Sequence, residues 1–370
     1  MKTESKVVLK ERLYSLDTLR GFDMFWIIGG GTLIGKLAQA TGWGWMDTVA
    51  HQMHHAQWAG FHFEDLIFPM FMFISGVAIP YALISKKEKG VPKFDLYKKV
   101  FKRMILLVVF GFVYNGMLRN GIDGMRYASV LSQIGIAYFF AALISINTNS
   151  IKTRIFWLVG IWAGIAALHF LATVDGFGGG NFTPEGSINS WIDQNFLPGR
   201  LNDKIFDPEG WLCIISAVSV TLMGAIAGTV LRSKKYDSYR KLTIIASVGA
   251  ALVIVALALS PVYPIIKKMW TVPFDMLTAG ISSLLLALFY YIVDIKLWRN
   301  WILFFQVIGL NSITIYLGKR IIDFSHASEF LLGWTKFMGD WHGAILVTGY
   351  IALEWLLLYC LYKNKIFLKV

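Results

Sequence analysis

The chain contains a series of apolar stretches of roughly 20 residues, most of which carry almost no charge. A helix of that length spans the hydrocarbon core of a bilayer. The sequence therefore predicts an all-α, polytopic integral membrane protein of about ten transmembrane helices. The predicted spans lie near residues 16–36, 62–85, 104–119, 127–147, 155–173, 210–231, 242–260, 273–295, 301–322 and 342–362.

The composition argues against a large aqueous domain. Only 16% of the residues are charged, 56% are hydrophobic and the mean hydropathy is +0.57, whereas a soluble domain carries about 25% charged residues. No internal repeat or linker divides the chain, so we expect a single transmembrane domain over residues 1–370. The N-terminal segment lacks the apolar core of a signal peptide, and we expect the first span to be retained as an anchor. Cys213 and Cys360 both fall inside predicted spans, which disfavours a disulfide framework or a cysteine metal cluster.

The net charge of +12 follows the predicted topology and does not indicate a nucleic-acid partner. With the N-terminus inside, the inner segments hold 24 of the 35 basic residues and the outer segments hold nine. The first outer loop, residues 40–61, contains no lysine or arginine. This bias predicts that both termini are cytoplasmic. The basic inner loops suit either anionic membrane lipid or the phosphates of a cytoplasmic cofactor.

Histidines cluster where the first outer loop enters the second span, in HQMHHAQWAGFHFEDLIFPMFMF. Four of the seven histidines lie here, namely His51, His54, His55 and His62. Because an unperturbed histidine titrates near pH 6.5, such a cluster suits acid–base chemistry. A helix would place His51 and His55 on one face, as in some zinc sites, but no glutamate stands between them at the metalloprotease position. We therefore expect no metal. Histidines that merely line a wet loop remain the alternative.

Glu64 and Asp65 stand at the start of a strongly apolar run, where charged side chains are costly unless they are paired or remain at the interface. A carboxylate suits the N-terminus of a helix, so capping is one interpretation. The other is that Asp65 fixes the tautomer of a nearby histidine.

Further polar or small residues in the predicted spans have two interpretations each. Arg20 lies three residues from Asp17, which predicts a structural ion pair on the first span. Glu209 and Asn311 either line a substrate or cofactor cavity or act as a cap and an interhelical hydrogen-bonding group. Small residues permit close helix packing, and they also suit a narrow passage for a cofactor arm; these are Gly29, Gly30 and Gly31.

Six segments together resemble the heparan-alpha-glucosaminide N-acetyltransferase family and its bacterial relatives. They are SLDTLRGFDMFWIIGGG, HHAQWAGFHFEDLIFPMFMFISG, FTPEGSINSWIDQNFLPG, FDPEGWLCIISAVSVTLMGAIAG, KKMWTVPFDMLTAG and IGLNSITIYLG. The resemblance spans nearly the whole chain, and the first two blocks in that order are specific. It implies a membrane enzyme that takes acetyl-CoA from the cytoplasmic side and acetylates the amine of a glucosamine-type sugar on the opposite side.

The resemblance also implies a catalytic residue. The family's active histidine precedes an Ala-x-Trp-x-Gly stretch and an Asp-Leu-x-Phe-Pro stretch, which selects His55. Trp58 and Asp65 belong to the same pattern, and we expect Trp58 in the cavity and Asp65 in the catalytic site. His54 is the fallback. The lysosomal members carry an asparagine two residues before the triple glycine, whereas this chain has Ile27. The chain also lacks their large luminal extension, so the expected acceptor is a free or short-chain amino sugar.

The chemistry allows two routes. His55 acts as general base towards the acceptor ammonium, or it takes the acetyl group itself and passes it on. An amino-sugar or lipid-linked sugar transporter or flippase is the alternative from another class, although transporters commonly show related halves, which this sequence lacks. A silent membrane scaffold is a further alternative. We expect residence in a bacterial inner membrane, contact with membrane lipid and possible homo-oligomers.

Overall fold

The computed structural model describes residues 13–122 and 124–368. Several basic residues used in the topology prediction lie outside the described residues, namely Lys2, Lys6, Lys10, Arg12 and Lys369. The described chain is helical almost throughout, and its one sheet is a two-stranded antiparallel hairpin.

Seven described helices are long and apolar enough to cross a membrane. This confirms a helical membrane protein. These helices are Phe63–Glu88, Val130–Asn147, Ile151–Leu171, Trp211–Arg232, Ser238–Leu259, Val272–Ile295 and Trp341–Lys363.

The secondary structure in chain order begins with α1 (Tyr14–Phe25), α2 (Gly31–Thr41), α3 (Gly44–His51), α4 (Phe63–Val77), α5 (Ser85–Glu88), α6 (Lys93–Tyr114), α7 (Met117–Asn120), α8 (Val130–Asn147) and α9 (Ile151–Leu171). It continues with β1 (Thr173–Val174), β2 (Phe177–Gly178), α10 (Ile188–Phe196), α11 (Trp211–Arg232), α12 (Ser238–Leu259), α13 (Val272–Phe289), α14 (Ile302–Leu310), α15 (Ser312–Gly318), α16 (Phe324–Leu332) and α17 (Trp341–Lys363). Short π-helical turns follow α1, α4 and α13.

The remaining three predicted spans fold as helices that are interrupted or more polar. The first is divided into α1 and α2 by a π-helical turn, Trp26–Gly30, in which Gly29 has φ +156°. The ninth is divided into α14 and α15 at Asn311, and the third is the apolar half of α6. The total of ten spans and the orientation of the termini therefore stay predictions.

Glycines bring the central helices α4 and α11 into backbone contact. A Cβ on Gly224 would lie 2.0 Å from the carbonyl oxygen of Phe73, and one on Gly76 would lie 2.0 Å from that of Thr221. Only glycine permits such an approach, as in other tightly packed membrane helices. The α4–α11 pair forms the centre of the bundle, and α1, α8 and α13 pack against α4.

The connecting segments collect at two ends of the bundle. The histidine end comprises residues 52–62, 124–129, 172–210 and 260–271, and Trp58 there donates a hydrogen bond to the carbonyl of Phe182 at 2.7 Å. The basic end comprises residues 86–92, 148–150, 233–237 and 296–301, and Lys87 there donates to the carbonyl of Ile146 at 2.7 Å. The two ends lie on opposite sides of the apolar layer.

The segment 174–209 is more regular than its many glycines and prolines predict. It contains the second strand of the hairpin and α10, whose Ser187 caps the first turn by accepting from the backbone N–H of Ser190. Asp193 on α10 is buried and accepts backbone hydrogen bonds from Asp207 and Trp211 at 3.1 and 3.2 Å. Burial raises the pKa of Asp193 to about 7. These contacts fix the segment against the start of α11.

Candidate active site

His55 and Asp65 form a direct contact at the histidine end. The His55 Nδ1 lies 2.9 Å from Asp65 Oδ1. Asp65 also caps α4, because its Oδ2 accepts from the backbone N–H groups of His62 at 3.0 Å and Ala56 at 3.2 Å. Both interpretations of Asp65, cap and histidine partner, thus describe the same carboxylate. Its side chain is 0% exposed, whereas that of His55 is 54% exposed.

The contact with Asp65 favours one tautomer of His55. A carboxylate that receives two backbone N–H groups is an acceptor, so it favours a hydrogen on Nδ1 of the imidazole. In the neutral imidazole with that tautomer, the Nε2 atom keeps its lone pair. That is the arrangement required of a base or a nucleophile oriented by a carboxylate.

Lys267 approaches the same histidine from the turn before α13. Its Nζ lies 2.9 Å from His55 Nδ1, 3.4 Å from His55 Nε2 and 3.4 Å from Asp65 Oδ1. Burial lowers the pKa of Lys267, although the nearby carboxylates of Asp65, Glu209 and Glu64 oppose this shift. The Lys267 amine thus lies against the Nδ1 side of the imidazole, beside Asp65.

A cavity of about 200 Å³, here called the central cavity, leads from this cluster into the membrane-spanning layer. At the histidine end it is lined by His55, Glu64, Glu209 and Lys267. Arg103 lines its far end, and the wall between them is mostly apolar. This apolar wall includes Ile67, Phe68, Phe71, Leu107, Leu131, Ile134 and Ile313.

Two further cavities share residues with the central one. The outer cavity, about 440 Å³, contains His55, Glu209 and Lys267 together with Arg126, Asn202 and Asp203. The inner cavity, about 500 Å³, lies towards the basic end and shares Arg103 with the central cavity. Its other polar lining residues are Lys99, Lys102 and Tyr138, and the Arg103 guanidinium lies 4.0 Å from the centre of the Tyr138 ring. The central cavity is therefore adjacent to both the outer and the inner cavity.

Arg126 holds two carboxylates at the rim of the outer cavity. Its Nε lies 2.7 Å from Asp207 Oδ2, and its terminal nitrogen contacts both Asp207 and Glu209. Burial raises the pKa of Glu209, while Arg126 opposes the shift. Glu209 is thereby fixed where the outer and central cavities meet.

The other predicted site residues lie outside these cavities. The His54 side chain is exposed and does not line them, and Trp58 packs against Phe206 with ring centres 5.2 Å apart. Asn311 is buried next to the cavity residue Ser312, and its amide atoms have no hydrogen-bond partner within the described structure. Asp17 and Arg20 form an ion pair at 3.5 Å.

The triple glycine does not line the central cavity. Gly29 packs against Tyr350 and Gly30 against Phe25, whereas a Cβ on Gly31 would lie 3.7 Å from Glu64 Oε2. Close packing therefore accounts for Gly29 and Gly30. Ile27, at the position of the lysosomal asparagine, does line the cavity.

The sequence interpretation left four cavity residues without a role in chemistry. Lys267 and Arg126 were counted only among the outer basic residues of the topology prediction, and Arg103 only among the inner ones. Glu64 was considered only as a capping or interfacial carboxylate. For Lys267 a signal existed, because a lysine directly before an apolar span, on the side poor in basic residues, is unusual. Among residues 13–122 and 124–368, no group of three or more His, Cys, Asp or Glu side chains is arranged to hold a metal ion.

Asp65→Asn tests the orienting contact. An amide cannot accept from the histidine and both backbone N–H groups with the geometry of a carboxylate, and it favours the wrong tautomer. We expect kcat for the reaction proposed below to fall by roughly 10²- to 10⁴-fold, with the thermal unfolding midpoint measured in parallel. A kcat within about three-fold of wild type would exclude an orienting role for Asp65.

Fold and site define a polytopic helical membrane protein with a carboxylate-oriented histidine at the mouth of an intramembrane cavity. The human heparan-alpha-glucosaminide N-acetyltransferase is 26% identical over 426 aligned positions, which cover 98% of this chain and 60% of the human protein. The mouse protein of that name is 26% identical over 376 positions, covering 85% of this chain and 56% of its own length. Residues 12–184 match a family described as "Domain of unknown function (DUF5009)".

These similarities confirm the resemblance predicted from the motifs. The chain spans about 60% of the length of the human relative and 56% of that of the mouse relative. The printed names describe an N-acetyltransferase that acts on a glucosaminide.

Proposed function

We propose that this chain transfers an acetyl group across a membrane, from acetyl-CoA at the basic end to the amine of a glucosamine-type sugar at the histidine end. The observation that carries the proposal is the series of three cavities linked by shared residues. His55, Glu209 and Lys267 join the outer cavity to the central one, and Arg103 joins the central cavity to the inner one. The similarity to two N-acetyltransferases supports the same reaction class.

The inner cavity suits the donor. Acetyl-CoA carries phosphates at one end and a thin thioester arm at the other, and the cavity offers Lys99, Lys102 and Arg103 to the phosphates. The apolar wall of the central cavity suits the arm. Bound in this way, the donor supplies an activated acetyl group near His55.

The outer cavity suits an amino sugar. Its lining combines hydrogen-bonding groups of Gln57 and Asn202 with the carboxylate of Glu209, which attracts an ammonium group. An ammonium has no free electron pair, so it must lose a proton before its nitrogen attacks the thioester. The free Nε2 of His55 acts as the general base in the direct route, or accepts the acetyl group first in the two-step route.

The orientation of the chain belongs to the same proposal. The excess of basic residues at the basic end supports a cytoplasmic location for that end and for both termini. The histidine end then faces the opposite compartment, as expected for a bacterial inner membrane protein of one domain. Cytoplasmic acetyl-CoA would reach the inner cavity directly.

Sided proteoliposomes test the proposal. Labelled acetyl-CoA is supplied on one face and a panel of amines, including glucosamine, on the other, and acetylated product is measured in each compartment. We expect transfer only when acetyl-CoA meets the basic end. A purified, folded protein that acetylates no amine, or that moves labelled glucosamine unmodified across the membrane, would favour the transporter alternative instead.

Arg103→Ala tests the donor site. Loss of this guanidinium should raise the KM for acetyl-CoA by about ten-fold, equivalent to about 1.4 kcal/mol of binding, and the effect should weaken with added salt. Lys98→Ala is the matched control, because Lys98 lies over the Phe94 ring at 4.5 Å and outside the inner cavity. An unchanged KM in Arg103→Ala would remove the inner cavity as the donor site.

A further inference from the structure

We propose that Lys267 is a catalytic residue whose ammonium group stabilises the negative charge that develops on the acetyl carbonyl oxygen during transfer. The inference rests on the proposed function and adds a residue to it. Lys267 lines both the outer and the central cavity, at the point where donor and acceptor would meet.

The backbone fixes Lys267 against the histidine loop. Gly60 donates its N–H to the carbonyl of Ile265 at 2.9 Å, and Ala59 pairs with Ile266 in an isolated antiparallel bridge. The Ile266 N–H donates to the hydroxyl of Thr271 at 3.1 Å. The two segments that carry His55 and Lys267 are therefore held in one register.

Buried aromatic side chains pack against the turn before α13 that carries Lys267. Trp270 is 1% exposed, and its ring lies 5.6 Å from that of Phe68 and 5.5 Å from that of Phe274. Phe68 itself lines the central cavity. Lys267 thus extends from a rigid turn, and preorganised charges of this kind need little rearrangement during reaction.

The hydrogen bonds around Lys267 leave a donor available to a ligand. In the tautomer with its hydrogen on Nδ1, His55 offers Lys267 no acceptor at that atom, which is 2.9 Å away, and its Nε2 lies 3.4 Å from the Lys267 Nζ. Its remaining close contact with a carboxylate is the 3.4 Å approach to Asp65 Oδ1. An ammonium has three N–H donors. Lys267 also lines the central cavity, so a donor is available to a ligand there.

The charges around His55 make a cation necessary. Asp65 lies in contact with it, and Glu64 and Glu209 line the same cavity. Three carboxylates oppose the formation of another anion nearby. Arg126 is engaged by Asp207 and Glu209, whereas Lys267 stands directly beside the imidazole.

The step in which this charge appears is the attack on the thioester. The acceptor attacks as the free amine, after its ammonium has released one proton to solvent in the outer cavity. The amine nitrogen forms a bond to the carbonyl carbon, and the π electron pair moves to the oxygen, while His55 Nε2 takes one of the two protons that remain on nitrogen. The oxygen pair then re-forms the carbonyl as the carbon–sulfur bond breaks. The sulfur leaves with the electron pair of the broken bond and receives the proton from His55 Nε2, which is neutral again. Only the intermediate carries the full negative oxygen, so the ammonium stabilises it more than it stabilises the bound donor.

Three substitutions separate this role from a structural one. Lys267→Met removes the charge but keeps an unbranched side chain, Lys267→Arg restores a charge, and Lys336→Met is the matched control. Lys336 directs its ammonium to Glu329, at 2.9 Å, and lines none of the three cavities. Wild type and variants are compared in proteoliposomes for kcat, for the KM of acetyl-CoA and glucosamine, and for the thermal unfolding midpoint.

We expect Lys267→Met to lower kcat by about 10²- to 10³-fold with little change in the KM for acetyl-CoA. Lys267→Arg should recover at least about ten-fold of that loss, and Lys336→Met should keep kcat within about three-fold of wild type. If a folded Lys267→Met changes only KM or the unfolding midpoint, the inference is overturned. Should the methionine variant not fold, Lys267→Gln removes the same charge, and the same result with it overturns the inference. A folded wild type that transfers no acetyl group would overturn the proposed function itself. An active wild type together with an equally active Lys267→Met would overturn only the role of Lys267.

Discussion

His55→Ala is expected to lower kcat for acetyl transfer by roughly 10²- to 10⁴-fold, because it removes the group that takes the amine proton or carries the acetyl group. Asp65 would remain bound to the backbone N–H groups of Ala56 and His62, so the start of α4 should stay folded. The measurement is transfer of labelled acetyl to glucosamine by purified protein.

His54→Ala provides the matched control. Its side chain is exposed and outside the cavities, and the contact that His54 makes with the His62 ring uses its backbone carbonyl. We expect kcat within about three-fold of wild type for this variant. Full activity in His55→Ala, or a loss confined to His54→Ala, would refute the assignment of the reacting histidine. Accumulation of labelled acetyl on wild-type protein, absent from His55→Ala, would identify the two-step route.

Gly224→Ala is expected to disrupt the centre of the bundle. The added Cβ would lie 2.0 Å from the carbonyl oxygen of Phe73, so α4 and α11 must separate, since a backbone oxygen cannot move aside as a flexible side chain does. Overpacking of a tight core costs about 1 to 3 kcal/mol and occasionally more, and this contact should lie at the upper end. The readout is the thermal unfolding midpoint in detergent, together with the yield of folded protein.

Gly164→Ala separates steric conflict from a general effect of alanine. Gly164 lies on α9 with no atom within 4 Å of an added Cβ, and alanine is the better helix former. We expect an unchanged or slightly higher unfolding midpoint there. Equal midpoints for the two variants would mean that α4 and α11 pack less closely than described.

Much of the helical layout follows from local sequence, because a transmembrane helix needs only a long apolar run. The breaks were harder to predict. Gly29 and Asn311 interrupt runs that remain apolar on both sides, and hydropathy averages over such local changes. The helix α10 was missed because the surrounding glycines and prolines favour turns, whereas Ser187 and the buried Asp193 stabilise a helix between them.

The candidate site also contains contacts that the sequence predicts and contacts that it does not. His55 and Asp65 are ten residues apart, so their motif and their contact are both local. Lys267 reaches His55 across 212 residues, and Arg126 reaches Glu209 across 83. Those contacts depend on how the helices pack, which periodicity and composition do not encode. The cavity itself is a property of the assembled bundle.

The apolar wall of the central cavity has a consequence for the energy supply of the cell. A membrane that stores a proton gradient cannot tolerate a continuous file of water from one face to the other. Between the charged groups at the two ends, Ile67, Phe71, Leu107 and Ile134 present hydrocarbon to the cavity, and a narrow hydrophobic constriction excludes water and ions. In the proposed reaction, a thioester arm would enter this apolar space whereas a hydrated proton would not. The bundle would then accept a substrate from each face and still act as an electrical insulator.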